Sequence, residues 1–365
     1  MSDPETGFVY AAAPARVVFG EGRARDLAAE LDRLDVLRVM IVCTPSGEAR
    51  YRPIAAALGD RCTRVFPQAQ AHCPESIANA ALEAFDDSGA DGVVTVGGGS
   101  TIALGKVIAA RRQKPFVALP TTLSGSEMTA LYGMKIGREK RTWTDAAAKA
   151  RTVIYDPELT LALPKHQTAT TGMNCLAHCV EALYPAQPNP IARLIALEGI
   201  SALGKSLPGV IERNDTASRA GALYGGFIGG LLVSMVGIGL HHKICHVLGG
   251  LFDLPHGESN SVILPHVVAF NAPAMPAIAA EIADALGGEE AAAAIFDLAR
   301  GIGAPQSLRQ FGLAKADLHA VATEVASRAP HNPRPITIEN MTALLTDAWE
   351  GREPVAQSDR RIVCH

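Results

Sequence analysis

Gly92-Val-Val-Thr-Val-Gly-Gly-Gly-Ser100 decides how the first half of this chain folds. Gly92 to Val96 is a β-branched run of strand length, and Gly97-Gly98-Gly99-Ser100 closes it before a helical pattern that lasts to Arg111. A glycine turn between a strand and a helix leaves backbone amides and the helix N-terminus open to an anionic phosphate. The same turn also serves where glycines only meet backbone angles. Its spacing is neither GxGxxG nor a Walker loop, so it does not name the nucleotide.

The rhythm extends on both sides. Upstream, Phe8 to Phe19 alternates like a strand, Val39 to Cys43 and Thr63 to Phe66 are short apolar runs, and helical patterns follow to Leu34, Leu58 and Ser88. Downstream come a run at Phe116 to Leu119, a hairpin around Leu131 to Ile136, and a last strand at Thr152 to Tyr155. Strands alternating with helices predict parallel βαβ units with helices on both faces. Pro120-Thr121-Thr122-Leu-Ser124-Gly-Ser126-Glu127 leaves its strand at the same carboxyl edge as the glycine turn, where open α/β sheets bind ligands.

Beyond about Thr160 the strand signals vanish. Gln167 to Leu183, Pro190 to Leu203, Ser218 to Met235, Leu240 to Phe252, Pro276 to Leu286 and Glu290 to Ile302 carry helical periodicity. The second half is therefore predicted to be helical, with the site expected in a cleft between the halves. An apolar fraction of 48% and a net charge of -4 give a soluble globular chain with no charge pattern for nucleic acid. The apolar run from Gly226 to Leu240 is broken by glycines and Ser234 and reads as a core helix, so no membrane partner is expected. Seven cysteines without paired metal spacing read as reduced thiols of a cytoplasmic protein, Cys175 and Cys179 being small hydrophobes on one helix.

Histidines concentrate in the helical half. Five of eleven stand at 241, 242, 246, 256 and 266, and His242 and His246 share a helix face. Asn174 and His178 share another face, which also carries Glu181. Each such histidine taken alone is more simply a hydrogen-bonded core or surface residue.

Taken together, GGGS at 97–100, PTTLSGSE at 120–127, DPELT at 156–160, TGMNCLAHCVEA at 171–182, HHKICHVLGG at 241–250 and PHGESNSVILPHVVAFN at 255–271 resemble the iron-containing (group III) alcohol dehydrogenase family. The resemblance runs from about Phe19 to past Asn271. It implies an α/β plus all-α protein of dehydroquinate synthase-like architecture: a Rossmann-like parallel-sheet NAD(P)-binding domain over 1–160 and a helical substrate domain over 161–365. It also implies cofactor contacts by Thr44, Gly97, Gly98, Gly99, Ser100, Thr121, Thr122, Ser124 and Lys140, and a homodimer. With no carboxylate at Thr44-Pro45-Ser46, NADPH is tolerated as well as NADH.

The family's metal ligands, an Asp and three His, fall on Asn174, His178, His242 and His256. An amide in place of a carboxylate withdraws a full charge from a dication. At about 4 Å and an effective dielectric of about 20 that is worth about 4 kcal/mol, or about a thousandfold in affinity, so no tightly bound metal is expected. Two further departures are Ala103, where the family motif GGGSxxDxAK has Asp, and Lys243, where Gly is common. With them the chain resembles the branch that uses NADH or NADPH to reduce the carbon–carbon double bond of a small dicarboxylate in aromatic-compound breakdown. A metal-dependent alcohol dehydrogenase and a dehydroquinate synthase-like lyase are the alternatives. In this reading His246 is the proton donor or enolate stabiliser, His178, His242 and His256 bind substrate oxygens, and Asn174 and Lys243 complete the substrate site. The imidazoles are expected to protonate near their ordinary value of about 6.5 and to meet the dianion as cations.

Overall fold

The computed structural model describes residues 16–355 apart from Arg138; the side chain of Lys140 also lies outside the described residues, as do 8–15 of the expected first strand. Contacts divide the chain into two compact units, one of residues 16–163 with 214–223, the other of 164–213 with 224–355.

In the first unit β1 (Arg16–Phe19), α1 (Leu27–Asp32), β2 (Val39–Val42), α2 (Glu48–Leu58), β3 (Cys62–Phe66), α3 (Glu75–Ser88), β4 (Gly92–Gly97), α4 (Gly99–Arg112) and β5 (Phe116–Pro120) alternate. The hairpin β6 (Leu131–Ile136) and β7 (Glu139–Thr144) precedes β8 (Thr152–Tyr155). The six-stranded sheet is parallel throughout and ordered β1-β8-β5-β4-β2-β3. Strands β2, β4, β5 and β8 are buried along their whole length, which is why they read as continuous apolar runs instead of alternating ones. Val39, Ile41, Val94, Val96, Val117, Leu119 and Ile154 join Leu27 and Leu31 in one core. From β2 the chain steps outward to β3, then returns to the other side of β2 as β4 and runs on to β5 and β8. The order therefore reverses between β2 and β4, and their carboxyl ends border the crevice where ligands of such sheets bind.

The second unit is built from α5 (Lys165–Glu181), α6 (Pro190–Glu212), most of α7 (Thr216–Val236), α8 (Leu240–Phe252), α9 (His256–Asn271), α10 (Pro276–Leu286), α11 (Ala291–Gly301), α12 (Leu318–Ser327) and α13 (Ile338–Glu350). By length and composition α6 and α7 could each cross a membrane, yet about half of each is buried in the protein. Their packing is that of core helices: a Cβ on Gly199 of α6 would lie 2.7 Å from Cys179 Sγ and 2.6 Å from Ile228 Cγ2, so the missing side chain lets three helices meet. Cys175 and Cys179 are fully buried in this contact, and burial raises the Cys179 thiol, consistent with inert small hydrophobes. On α8, Leu240, Ile244 and Leu248 recur every fourth residue and enter a core with Val262, Ile263, Val267 and Phe270 of α9. That anchoring fixes the side of α8 on which His242 and His246 emerge.

The sequence reading recognised only the start of α9. Every residue from Ser259 to Asn271 is buried, so no polar face marks a helical period, and Pro265 with a run of Val and Ile reads as the opposite of a helix.

Candidate active site

At the sheet edge, the turn after β4 and the loop after β5 form one surface. Thr121 N donates to Gly97 O at 3.1 Å. A Cβ on Gly98 would stand 2.6 Å from Thr122 Cγ2, and one on Gly99 would stand 3.8 Å from Ser124 Oγ. Gly98 caps α4, whose first amides have no partner within the helix. Gly97, Gly98, Gly99, Ser100, Thr121, Thr122 and Ser124 are thus gathered into a cradle of amides and hydroxyls, and Thr44 follows the adjacent strand β2. Of Lys140 nothing is assigned, its side chain lying outside the described residues.

Beneath the cradle is a buried polar network that the sequence reading did not anticipate. Lys106, the lysine of the GGGS motif, is fully buried and donates through Nζ to Thr129 Oγ1 and Leu131 O, both at 2.8 Å. Thr129 Oγ1 donates in turn to Ser126 O at 3.1 Å, and Tyr155 Oη donates to Glu127 Oε1 at 2.7 Å. Burial pulls Lys106 down to about 7 and pushes Glu127 up. This network fixes the PTTLSGSE loop from below.

In the helical unit, α5, α8 and the start of α9 bring four imidazoles together. The His178 and His242 rings stack with centroids 4.5 Å apart and 19° between planes. His246 lies 6.3 Å from His242, His256 lies 6.3 Å from His242, and His246 and His256 stack at 5.6 Å. The cluster is graded: His242 is buried, His178 half-buried, His246 and His256 exposed.

Two supports hold it, neither given a role by the sequence reading. Glu181 accepts from Gly239 N at 2.9 Å, His242 N at 3.3 Å and His242 Nδ1 at 2.7 Å. A carboxyl facing three donors is an acceptor, so the His242 hydrogen sits on Nδ1 and Nε2 carries the lone pair. Asn174 closes that side, its Oδ1 lying 3.4 Å from His242 Nε2. The second support is His241 on the neighbouring face of α8. Its Nε2 donates to Asn260 Oδ1 at 2.6 Å, and Asn260 Nδ2 donates to His256 O at 2.6 Å, tying α8 to the turn that carries His256. The face shared by Asn174, His178 and Glu181 was the available signal for Glu181; for Asn260, inside the unrecognised α9, there was none.

Three expectations change. Burial, reinforced by repulsion from the neighbouring imidazoles, holds His178 and His242 well below the ordinary histidine range and His241 at about 3, so these rings are neutral at pH 7 and the expected cationic cluster is not formed there. His246 and His256 are the exposed rings of the cluster. Second, His242 Nδ1 faces Glu181 and Nε2 lies 3.4 Å from Asn174 Oδ1, so a substrate oxygen at this ring would compete with partners already present. His178 is different: its buried Nδ1 has no partner among the described residues, a polar valence that an incoming group would complete. Third, Lys243 follows His242 by one residue and so leaves α8 about 100° around the axis; no described hydrogen bond joins it to the rings.

The chain matches the iron-containing alcohol dehydrogenase family over residues 14–157 and the C-terminal region of the Fe-containing alcohol dehydrogenase family over 168–349. It is 43% identical to a maleylacetate reductase of Rhizobium sp. (strain MTP-10005) over 95% of this chain and 99% of the relative, and 41% identical to one of Pseudomonas sp. (strain P51) with the same coverage. Among solved structures, a maleylacetate reductase from Agrobacterium tumefaciens superposes with a TM-score of 0.92 at 41% identity, covering 95% of this chain and 99% of the other.

Proposed function

We propose that this chain, which belongs to the iron-containing alcohol dehydrogenase family, reduces the carbon–carbon double bond of maleylacetate to give 3-oxoadipate in the degradation of aromatic compounds. It does so as a soluble enzyme of the cytoplasm with NADH or NADPH. The cradle of the first unit suits a dinucleotide, because the amides at the start of α4 and the hydroxyls of Thr122 and Ser124 lie side by side where a pyrophosphate would need donors. When bound, the cofactor supplies the hydride.

The chain's own residues supply the rest. Maleylacetate has a carbonyl conjugated to its double bond, so hydride addition to the distal alkene carbon moves charge onto the carbonyl oxygen. His178, with an unsatisfied nitrogen, and the exposed His256 donate hydrogen bonds to oxygens of the dianion. His246 delivers the proton that completes the saturated bond, and the neighbouring His256 ring, stacked on it, keeps it in place.

The observation that carries the metal-independent part of this reading is the contact of Asn174 with His242. The family's dication would require that imidazole's lone pair together with a carboxylate. Here the side chain beside that imidazole is an amide that brings no charge, its Oδ1 lying 3.4 Å from His242 Nε2. An amide in place of the carboxylate weakens the match to a dication. The test is loss of NADH absorbance on adding maleylacetate in the presence of a chelator, with full rate expected. No oxidation of NADH would remove the substrate; a rate abolished by chelator and restored by Fe²⁺ or Zn²⁺ would return the site to metal chemistry.

A further inference from the structure

At the edge of the first unit, Arg50 has no ion-pair partner among the described residues. After β2 ends at Val42, Cys43-Thr44-Pro45-Ser46-Gly47 lead into α2 without one acidic residue. This is the strand beside β4, on the other side of the point where the strand order reverses. In dinucleotide sites an acidic side chain near the adenosine takes the ribose 2′-hydroxyl, and an arginine there accommodates a 2′-phosphate. Arg50, on α2, turns back toward this segment. Its Nη2 comes within 4.0 Å of the point where a Cβ on Gly47 would sit, a point also 3.4 Å from Thr44 Oγ1. Ser46 Oγ lies 3.3 Å from Thr44 Oγ1, which places two hydroxyls in the same region.

Arg50 Nε is buried and makes no hydrogen bond, and among the described residues Arg50 has no ion pair. Its neighbour Arg52 differs, being exposed and paired with Glu48, so the one carboxylate at the start of α2 is already engaged. A half-buried guanidinium with an unsatisfied N–H is a costly feature unless an anion completes it, and its planar fork matches a phosphate.

We infer that Arg50, with the hydroxyls of Thr44 and Ser46, receives the 2′-phosphate of NADPH, so that this chain binds the 2′-phosphorylated nucleotide more tightly than the unphosphorylated one. The inference rests on the reading of the first unit as the nucleotide-binding one, and it is tested by binding alone. The full chain and its Arg50→Met and Arg50→Lys variants are titrated calorimetrically with adenosine 2′,5′-bisphosphate and with 5′-AMP, circular dichroism verifying that each is folded. The wild-type chain is expected to favour the bisphosphate by about tenfold or more, Arg50→Met to remove most of that preference, and Arg50→Lys to retain part of it. Equal affinity of the wild-type chain for the two nucleotides overturns the inference. So does an equal loss of both in Arg50→Met, which would move Arg50 to the 5′-phosphate. Failure of the wild-type chain to bind either nucleotide overturns it together with the nucleotide reading. Because no turnover is measured, failure of the maleylacetate reading leaves all of these outcomes unchanged.

Discussion

The sheet-edge cradle and the imidazole cluster are made from opposite materials. At Gly97–Ser100 the working groups are backbone amides, and what the sequence supplies is the absence of side chains: a Cβ on Gly97 would meet Thr101 Oγ1 at 2.4 Å and one on Gly98 would meet Thr122 Cγ2 at 2.6 Å. In the cluster the working groups are rings, with Glu181 orienting His242 and Asn260 linking His241 to the turn of His256. The first region fails when atoms are added and the second when atoms or charges are exchanged. Burial separates them further. The lysine under the cradle is fully hydrogen-bonded and serves as scaffold, whereas His178 keeps an unpartnered buried nitrogen beside rings that reach the surface. A buried polar group that is satisfied holds a structure together; one left open beside an accessible neighbour is placed to take a ligand.

The strongest way to break this contrast is at Asn174. Asn174→Asp places a carboxylate where the amide now faces His242 Nε2. Affinity for Zn²⁺ or Fe²⁺, measured by equilibrium dialysis, is expected to rise about a thousandfold, from an interaction worth about 4 kcal/mol at about 4 Å. A change of less than about tenfold would mean that the packing of the rings, and not the missing charge, excludes the metal. His246→Ala comes next. Loss of the proton donor should lower turnover by about 100-fold or more while NADH still binds. Near-normal turnover removes His246 from the chemistry and passes the role to His256, the other exposed ring.

How much of this was legible in the sequence follows from the same contrast. The cradle was readable locally, because a glycine run between a strand and a helix has few other uses and its neighbours in sequence are its neighbours in space. Parallel order was readable from the alternation of short strands such as Val93–Val96 and Phe116–Leu119 with helices. The cluster was not readable in this way: Asn174, His242 and His256 come from three helices, and only the family resemblance joined them. Protonation was misjudged because the ordinary histidine value presumes water around the ring, and depth is a property of packing. Glu181, Asn260 and Arg50 went unassigned for a related reason. Each acts through a contact with a residue that is distant in sequence or across a turn, and no spacing rule encodes the geometry of those contacts.

The cradle can be tested by a smaller change, the addition of one methyl group. Gly98 has φ of -89° and ψ of -162°, a backbone conformation that alanine adopts without strain, so Gly98→Ala isolates the contact with Thr122 from any conformational effect. At 2.6 Å from Thr122 Cγ2 the new Cβ must displace the loop after β5, at a cost of about 1–3 kcal/mol. If the turn and the loop hold the pyrophosphate jointly, that displacement appears as weaker NADH binding, about tenfold, with the thermal midpoint changed little. Removing the obstruction supplies the control. Thr122→Ala takes away the methyl and the hydroxyl that Gly98→Ala strikes, and the double variant should bind NADH more tightly than the sum of the two single losses allows. Strict additivity would show that the two segments contribute separately, and the cradle would then be two independent loops at one sheet edge.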